Sequence, residues 1–485
     1  MNIIGRKKEV EQLQQLYESD SAEFLALYGR RRVGKTYLIW QYFQNKKGCL
    51  FFDVTGLKDG NMATQIANVM DRIGKIFYNG LKLQHEKNWR DVFERINDAI
   101  ENQTSVERIV MFFDELPWMA TPRSKLLETL DYYWNQYWSR NPKIKLIICG
   151  SSASWIINKI INSKGGLHNR VTEQMLLKPY DLSNTKKFLQ ARDLNLSDKQ
   201  ILLLYMVTGG IPFYLAKIKW KTSAMQIIQK LCFSEDAFFL GEFDNLFSSL
   251  FKDHGDHIKI VKILAQNRYG IMKNKLLKQI GATGGNSAKR LNELEDAGFI
   301  MSFKPLYHRR RGIYYRLVDE YTYFYLRWIE PIKSKLQAGA FDKNDWQAVQ
   351  LTPEWHSWLG YAFESVCYKH IAQIKQKLDL PPMSLASTWN YSPQQSSNTQ
   401  GAQIDLLFDR RDDAITVCEI KYSDKPYTIT KSYADVLNQK LTVFKEQTRS
   451  KKQLLIAFIA AEGLTNNQYK QTLVSSIVTL EDLFE

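Results

Sequence analysis

Gly29-Arg30-Arg31-Arg32-Val33-Gly34-Lys35-Thr36 fits the pattern G-x-x-x-x-G-K-[ST], and its surroundings suit the chemistry that the pattern serves. The apolar run Phe24-Leu25-Ala26-Leu27-Tyr28 before it predicts a buried strand. Tyr37–Phe43 after it predicts a helix. Glycines let such a loop curl until its N–H groups point inward at phosphate oxygens, and the following helix start adds partial positive charge. The residues expected to cradle a nucleoside triphosphate are Gly29, Arg32, Val33, Gly34, Lys35 and Thr36. Lys35 is expected to reach the β- and γ-phosphates, and the Thr36 hydroxyl to bind Mg²⁺.

A second signature lies downstream. Ile109-Val110-Met111-Phe112-Phe113 ends in Asp114-Glu115, and continuous apolarity of that kind suits a parallel strand covered on both faces. Asp114 is expected to hold Mg²⁺ and Glu115 to polarise the attacking water as general base. Leu50–Val54, Leu146–Cys149 and Gln174–Leu177 read as further strands. The Leu146–Cys149 run enters Gly150-Ser151-Ser152, where the Ser151 hydroxyl is expected to sense the γ-phosphate. Strands alternating with amphipathic helices predict an α/β fold with a parallel sheet, and nucleotide bound at the strands' carboxyl ends.

Composition narrows the class. A chain of 485 residues exceeds one domain, and 44% hydrophobic residues supply ample core. The N-terminus turns polar at once, and the longest apolar runs are far shorter than a bilayer requires, so a cytoplasmic protein without membrane contact is expected. Five scattered cysteines predict reduced thiols. The net charge of +15 points to a polyanionic partner, with nucleic acid first and DNA favoured. Assembly into a homo-oligomer stays open.

Residues 181–252 read as a helical lid. From 253 to 330 three short helices, Ile258–Leu264, Lys273–Ile280 and Ser287–Ala297, precede two strands, Ile300–Phe303 and Ile313–Leu317. That order predicts a winged helix-turn-helix. On DNA, Asn286, Ser287, Lys289, Arg290 and Asn292 would face the major groove, with Arg309, Arg310 and Arg311 on phosphates; a contact within the protein or an oligomer is the alternative.

After a linker at 331–351, residues 352–485 form the last predicted domain. Thr352 and Pro353 start a helix whose apolar stripe is Trp355, Leu359, Ala362, Phe363, Val366 and Ile374, with Glu364 at its edge. A hairpin through the turn at Arg410–Asp413 brings Asp405 beside Glu419 and Lys421, which share a strand face with Val417. Asp405 and Glu419, with the Ile420 carbonyl, would bind Mg²⁺, Lys421 would activate water, and Glu364 would complete the acidic shell. An ordinary hairpin with a Glu419–Lys421 ion pair is the plainer reading.

The order of Asn2-Ile3-Ile4-Gly5-Arg6, phosphate loop, Asp114-Glu115, Gly150-Ser151 and Arg170 resembles AAA+-type ATPases. More narrowly, it resembles the prokaryotic, archaeal-type ATPase family related to STAND signalling ATPases. The resemblance covers residues 1–340 and sets the ATPase core at 1–180. It implies that Ile4, Gly5 and Arg6 line an adenine pocket, and that Gly210-Ile211-Pro212 is the lid element closing over the base. It also makes Arg170 a candidate arginine finger or sensor. The series Glu364, Asp405, Glu419-Ile420-Lys421 resembles the restriction-endonuclease-like Asp…Glu-x-Lys fold. The expectation is an ATP-hydrolysing switch that engages DNA through the winged helix and a Mg²⁺-dependent nuclease-like domain. Its rival is a nucleotide-gated regulatory or scaffold ATPase that binds partners without cutting.

Overall fold

The computed structural model describes residues 3–162, 167, 169–219, 221–281, 285–307, 312–341, 343–393 and 400–485. Two compact units divide the chain: Met1–Pro179 with Ile211–Phe213 and Asn292–Gly298, and Tyr180–Gly210 with Tyr214–Leu291 and Phe299–Glu485.

The first unit is α/β. Its strands are β1 (Glu23–Tyr28), β2 (Cys49–Thr55), β3 (Arg108–Asp114), β4 (Ile144–Gly150) and β5 (Glu173–Leu176). They form one parallel sheet in the order β2-β3-β4-β1-β5. Phe24, Phe52, Met111, Phe113 and Ile148 pack against Ile66, Val69, Phe93 and Trp134 from the covering helices. Burial of each such side chain stabilises by roughly 1.5–3 kcal/mol relative to exposure. Because β4 lies between β3 and β1, the loops leaving the carboxyl ends of all three strands meet along one edge, where ligands of open α/β sheets bind.

The second unit begins with helices Leu182–Gln190, Asp198–Thr208, Ala224–Cys232 and Phe238–Leu250. Ser197 caps the second of these through the Gln200 N–H, and Gly209 ends it in the left-handed region (φ 62°). Helices Gly255–Gln266, Lys273–Ile280 and Gly285–Asp296 follow, with strands β6 (Ile271–Met272), β7 (Ile300–Phe303) and β8 (Tyr314–Leu317) in the order β6-β8-β7. The short β6 had no clear signal in the sequence. Ser287 is buried and Arg290 pairs with Asp256 at 2.9 Å, so neither lies on the open helix face expected of it; Lys289 and Asn292 are exposed. The Asn286 side chain and the run Arg309–Arg311 lie outside the described residues.

The stretch 331–351, expected as a linker, carries helices Lys333–Gln337 and Lys343–Gln350. Trp346 is buried there, stacked on Phe233 at 4.3 Å and edge-on to Trp355 at 5.2 Å. Helix Pro353–Lys369 starts on the Thr352 cap as expected, but it ends at His370. Ile374 therefore belongs to the next helix, Ile371–Lys377, and not to the same stripe.

The final sheet runs β13-β12-β11-β10-β9, from β9 (Leu385–Tyr391), β10 (Ala402–Asp409), β11 (Ala414–Lys421), β12 (Gln453–Ala460) and β13 (Val474–Val478). Neighbours β9, β10 and β11 are antiparallel, whereas β11 and β12 are parallel and joined through helix Lys431–Thr448. Among the described residues no helix is long and apolar enough to cross a membrane, and all five cysteines are free.

Candidate functional site

The phosphate loop closes tightly on the sheet. Gly29 has φ 142°, and a Cβ there would sit 2.3 Å from the Leu177 carbonyl oxygen. Arg32 and Gly34 also take positive φ, at 73° and 92°. This curl turns the backbone from β1 into helix Lys35–Phe43, whose first residue is the loop lysine. Lys35 Nζ donates to the carbonyls of Gly29 (2.9 Å) and Arg30 (3.1 Å). The Thr36 hydroxyl donates to Asp114 Oδ2 at 2.8 Å. Asp114 is buried, and its Oδ1 has no hydrogen-bond partner among the described residues. An unpartnered carboxylate oxygen beside a threonine hydroxyl is a donor set that fits a hard divalent cation.

Glu115 differs from its neighbour. It sits in the left-handed region (φ 49°, ψ 46°) at the start of a short helix, Leu116–Met119. Its Oε2 accepts from both the Ser151 N–H (3.0 Å) and the Ser151 hydroxyl (2.9 Å). Burial raises the Glu115 carboxyl above its usual range, against the Ser151 N–H and the charge of Lys35. Residues named from three strand ends thus come together: Lys35 and Thr36 after β1, Asp114 and Glu115 at β3, and Ser151 after β4.

The N-terminal segment is tied to this loop through Arg6. Buried, it donates to the Lys178 carbonyl (2.8 Å) and the Val33 carbonyl (3.1 Å) and pairs with Glu9 at 3.2 Å. Ile4 and Gly5 are half-buried beside it in sequence. Pro212 opens the turn Pro212–Leu215, and the next residue, Phe213, lies under the Arg32 guanidinium at 4.6 Å. No motif pointed to Phe213. Arg170 is exposed, its backbone N–H donates to the Leu167 carbonyl, and among the described residues its side chain makes no hydrogen bond or ion pair to the loop.

The second group stands on β10, β11 and two helices. The β9–β10 register shifts between Ile404 and Leu407, which places Asp405 in an irregular step of the strand; such bulges re-aim side chains. Asp405 Oδ2 accepts from the Ile420 N–H at 3.5 Å, and its carbonyl accepts from the Tyr368 hydroxyl at 2.6 Å. Glu419 is buried and pairs with Lys421 (2.9 Å) and Lys440 (2.8 Å), and the Tyr433 hydroxyl donates to it. Burial works to raise the Glu419 carboxyl, but the two lysines outweigh it and hold it low. Burial and Asp405 push Glu364 up to about 8, and burial with Glu419 pushes Asp405 up to about 6. Among the described residues no group of three or more His, Cys, Asp or Glu side chains is arranged to hold a metal ion. Tyr433 and Lys440, on helix Lys431–Thr448, were absent from the sequence reading. Their 14- and 21-residue separations from Glu419 match no motif.

Residues 3–218 match the model of a family described as an ATPase domain predominantly from Archaea. Over that stretch the chain is similar to archaeal-type P-loop ATPase domains. Residues 325–435 match a second model, described as archaeal and bacterial proteins of unknown function. An uncharacterized protein of Methanocaldococcus jannaschii is 25% identical over 443 residues, spanning 90% of this chain and 91% of its own. An uncharacterized ATP-binding protein of the same organism is 48% identical over 45 residues, which cover 9% of this chain and 76% of that one. Among solved structures, a Walker-type ATPase of Pyrococcus abyssi is similar over 67% of this chain and 96% of its own, at 18% identity and a TM-score of 0.48.

Proposed function

We propose that this ATPase domain is a nucleotide-driven switch, and that the remaining chain engages DNA through a winged helix and a nuclease-like carboxylate site. The observation that carries the first half is the meeting of Lys35, Thr36, Asp114, Glu115 and Ser151 at adjacent strand ends. Lys35 leaves its two carbonyl partners to bind the β- and γ-phosphates, while Ile4, Gly5, Arg6 and Pro212 border the base. Thr36 and Asp114 would hold Mg²⁺, which would supply neutralisation of phosphate charge. Glu115 takes the proton of the attacking water, and Ser151 holds that carboxylate until the γ-phosphate draws it away. Arg170 is the proposed finger or sensor. A switch of this kind needs differential contacts in the two nucleotide states, and the γ-phosphate is the group that differs.

Support for the second half is the strand order around Asp405. A helix, three antiparallel strands, a crossover helix and a parallel strand place Asp405, Glu419 and Lys421 on neighbouring strands, with Glu364 on the preceding helix. Asp405, Glu419 and the Ile420 carbonyl would hold Mg²⁺, and Lys421 would orient the water. A reading without cleavage also has an observation in its favour: two lysines and a tyrosine hydroxyl already engage Glu419.

Two assays decide. Lys35→Ala should abolish ATP binding by calorimetry, whereas Glu115→Gln should bind ATP and lose hydrolysis; full turnover by Glu115→Gln removes the proposed base. Plasmid or single-strand cleavage with Mg²⁺ or Mn²⁺, lost in Asp405→Ala and Lys421→Ala while ATPase activity persists, supports the nuclease. No cleavage by a folded, ATP-hydrolysing protein supports the partner-binding reading instead.

A further inference from the structure

Helix Lys431–Thr448 is fastened to the final sheet along its length. Ala434 and Leu437 pack with Ile456 and Phe458, while Val443 and Phe444 pack with Trp389, Ile404 and Leu407. Tyr433 and Lys440 are seven residues apart, two helical turns, and so extend from one side of it. Both reach the same carboxylate, Glu419 on β11. Glu419 is buried, and each of its oxygens is engaged. Lys421 meets Oε1 at 2.9 Å, together with the Tyr433 hydroxyl. Among the described residues Lys440 alone meets Oε2, at 2.8 Å.

The two lysines are held differently. Lys421 extends from the strand that carries Glu419, and its ammonium lies over the rings of Tyr433 at 4.8 Å and Tyr427 at 5.8 Å. Among the described residues Lys440 has no such ring and no acceptor besides Glu419 Oε2. Of the two ammonium groups, Lys440 acts the more strongly on Asp405, whose Oδ2 accepts from the Ile420 N–H only at 3.5 Å. Lys440 thus stands by both carboxylates that a hard divalent cation would use. Asp405 and Glu419 bring two negative charges, and Lys421 and Lys440 bring two positive ones. A divalent cation added to that balanced set meets two ammonium groups at close range and finds the Glu419 oxygens taken. Departure of Lys440 breaks a single contact, frees Oε2 and leaves net negative charge beside it. Glu419 keeps Lys421 and Tyr433, so its buried charge is not left unpaired.

We propose that Lys440 is a resident counter-cation, its ammonium holding the place of a divalent ion at Glu419 Oε2, so that the ion binds only when that ammonium swings away. The proposal rests on the nuclease-like reading of Asp405 and Glu419 and names how that site is regulated. The helix does not have to move. Its buried side chains fix the backbone, whereas the lysine head sits on a flexible four-carbon stem. That side chain is 19% exposed, so water is open to it when it turns out. Exchange at Oε2 therefore needs side-chain rotation alone.

Mn²⁺ binding to the full chain, measured by calorimetry without nucleotide, tests this independently of cleavage. Lys440→Met should bind Mn²⁺ at least ~10-fold more tightly than wild type, because repulsion by a unit charge about 4 Å from a divalent ion exceeds a factor of ten in affinity. Lys440→Arg keeps the charge and should bind as weakly as wild type, which separates charge from truncation. The gain should vanish when Asp405→Asn is added to Lys440→Met, so that Mn²⁺ held near Thr36 and Asp114 does not enter the comparison. Should Lys440→Met fail to fold, Lys440→Gln, which still donates to Glu419 without charge, carries the test. No gain in a folded, uncharged variant overturns the counter-cation, as does a gain equalled by Lys440→Arg or one that survives Asp405→Asn. The two readings fail differently. An uncharged variant that gains Mn²⁺, while neither it nor wild type cuts DNA, retains the counter-cation and loses the nuclease. A wild type that cuts DNA with Mn²⁺ and binds it as tightly as Lys440→Met loses the counter-cation and keeps the nuclease.

Discussion

Gly29→Ala is the sharpest perturbation available, because backbone geometry and the proposed nucleotide binding share that residue. At φ 142° an L-residue is strained, which costs of order 1–3 kcal/mol. The added methyl would also stand 2.3 Å from the Leu177 carbonyl oxygen and 3.2 Å from its carbon. These are backbone atoms that follow β5, so they cannot rotate away as a side-chain tip would, and overpacking of this kind adds roughly 1–3 kcal/mol. Together the two effects predict a loss of about 2–6 kcal/mol, a fall in thermal midpoint of roughly 4–24 °C for a unit of this size. Gly34→Ala is the control. Its φ of 92° is strained too, but no atom lies within 4 Å of the new methyl, so only the backbone cost of about 1–3 kcal/mol applies. Thermal unfolding measures both variants, and ATP calorimetry below their midpoints reports whether the loop still closes. Gly29→Ala should lose most ATP affinity, because relief of the clash pulls the loop off β5 and displaces the Gly29 carbonyl that Lys35 holds. Equal midpoints for the two variants, or wild-type ATP affinity in Gly29→Ala, would refute the argument.

Lys145, beside Ser19 at the other end of the sheet strands from the phosphate loop, gives a separate pH test. It is fully buried and donates to the Ser19 carbonyl at 2.8 Å, and burial lowers it to about 8. Between pH 8 and the unfolded value near 10.5 the unfolded chain binds the extra proton, so stability must rise with pH in that window. The gain is roughly 3 kcal/mol relative to Lys145→Met; a constant difference in denaturant midpoint across pH 8–10 contradicts it. Trp346→Ala should cost about 3–5 kcal/mol by emptying the site against Phe233 and Trp355. A loss under ~1 kcal/mol in chemical denaturation would show that the stretch behaves as the linker its sequence suggested.

Legibility followed locality. The phosphate loop, the apolar strand ending in Asp114-Glu115 and the strand before Ser151 are each written within about ten consecutive residues, and the hydrophobic period there is decisive. Pairing across space was not readable. Tyr314-Tyr315-Arg316-Leu317 resembles any half-buried strand, and Arg316 becomes unusual only where Phe303 and Tyr368 close over it. Strand alternation put Glu419 and Lys421 on one face, and their 2.9 Å pair agrees. The irregular step at Asp405 and the reach of Lys440 from a separate helix left no periodic trace. The stretch 331–351 looked like a linker because its helices are short and polar, and the single buried Trp346 carries its packing.

The separate placement of Asp114 and Glu115 follows from one backbone step. Had β3 continued as a strand, successive side chains would point to opposite faces, and one carboxylate would leave the sheet edge. Instead the chain turns left-handed at Glu115, and Pro117 fits within the first turn of the helix that follows. Asp114, still on the strand, stays with Thr36, while the turned Glu115 is carried to Ser151 at the end of β4. A non-glycine residue in that conformation is strained by of order 1–3 kcal/mol. The two hydrogen bonds that Ser151 donates to the Glu115 carboxyl offset that strain. A γ-phosphate that draws Ser151 toward itself would release the carboxylate to a water and loosen the turn in the same event. On the proposed function, local strain would link the sensing of the terminal phosphate by Ser151 to the activation of a water by Glu115.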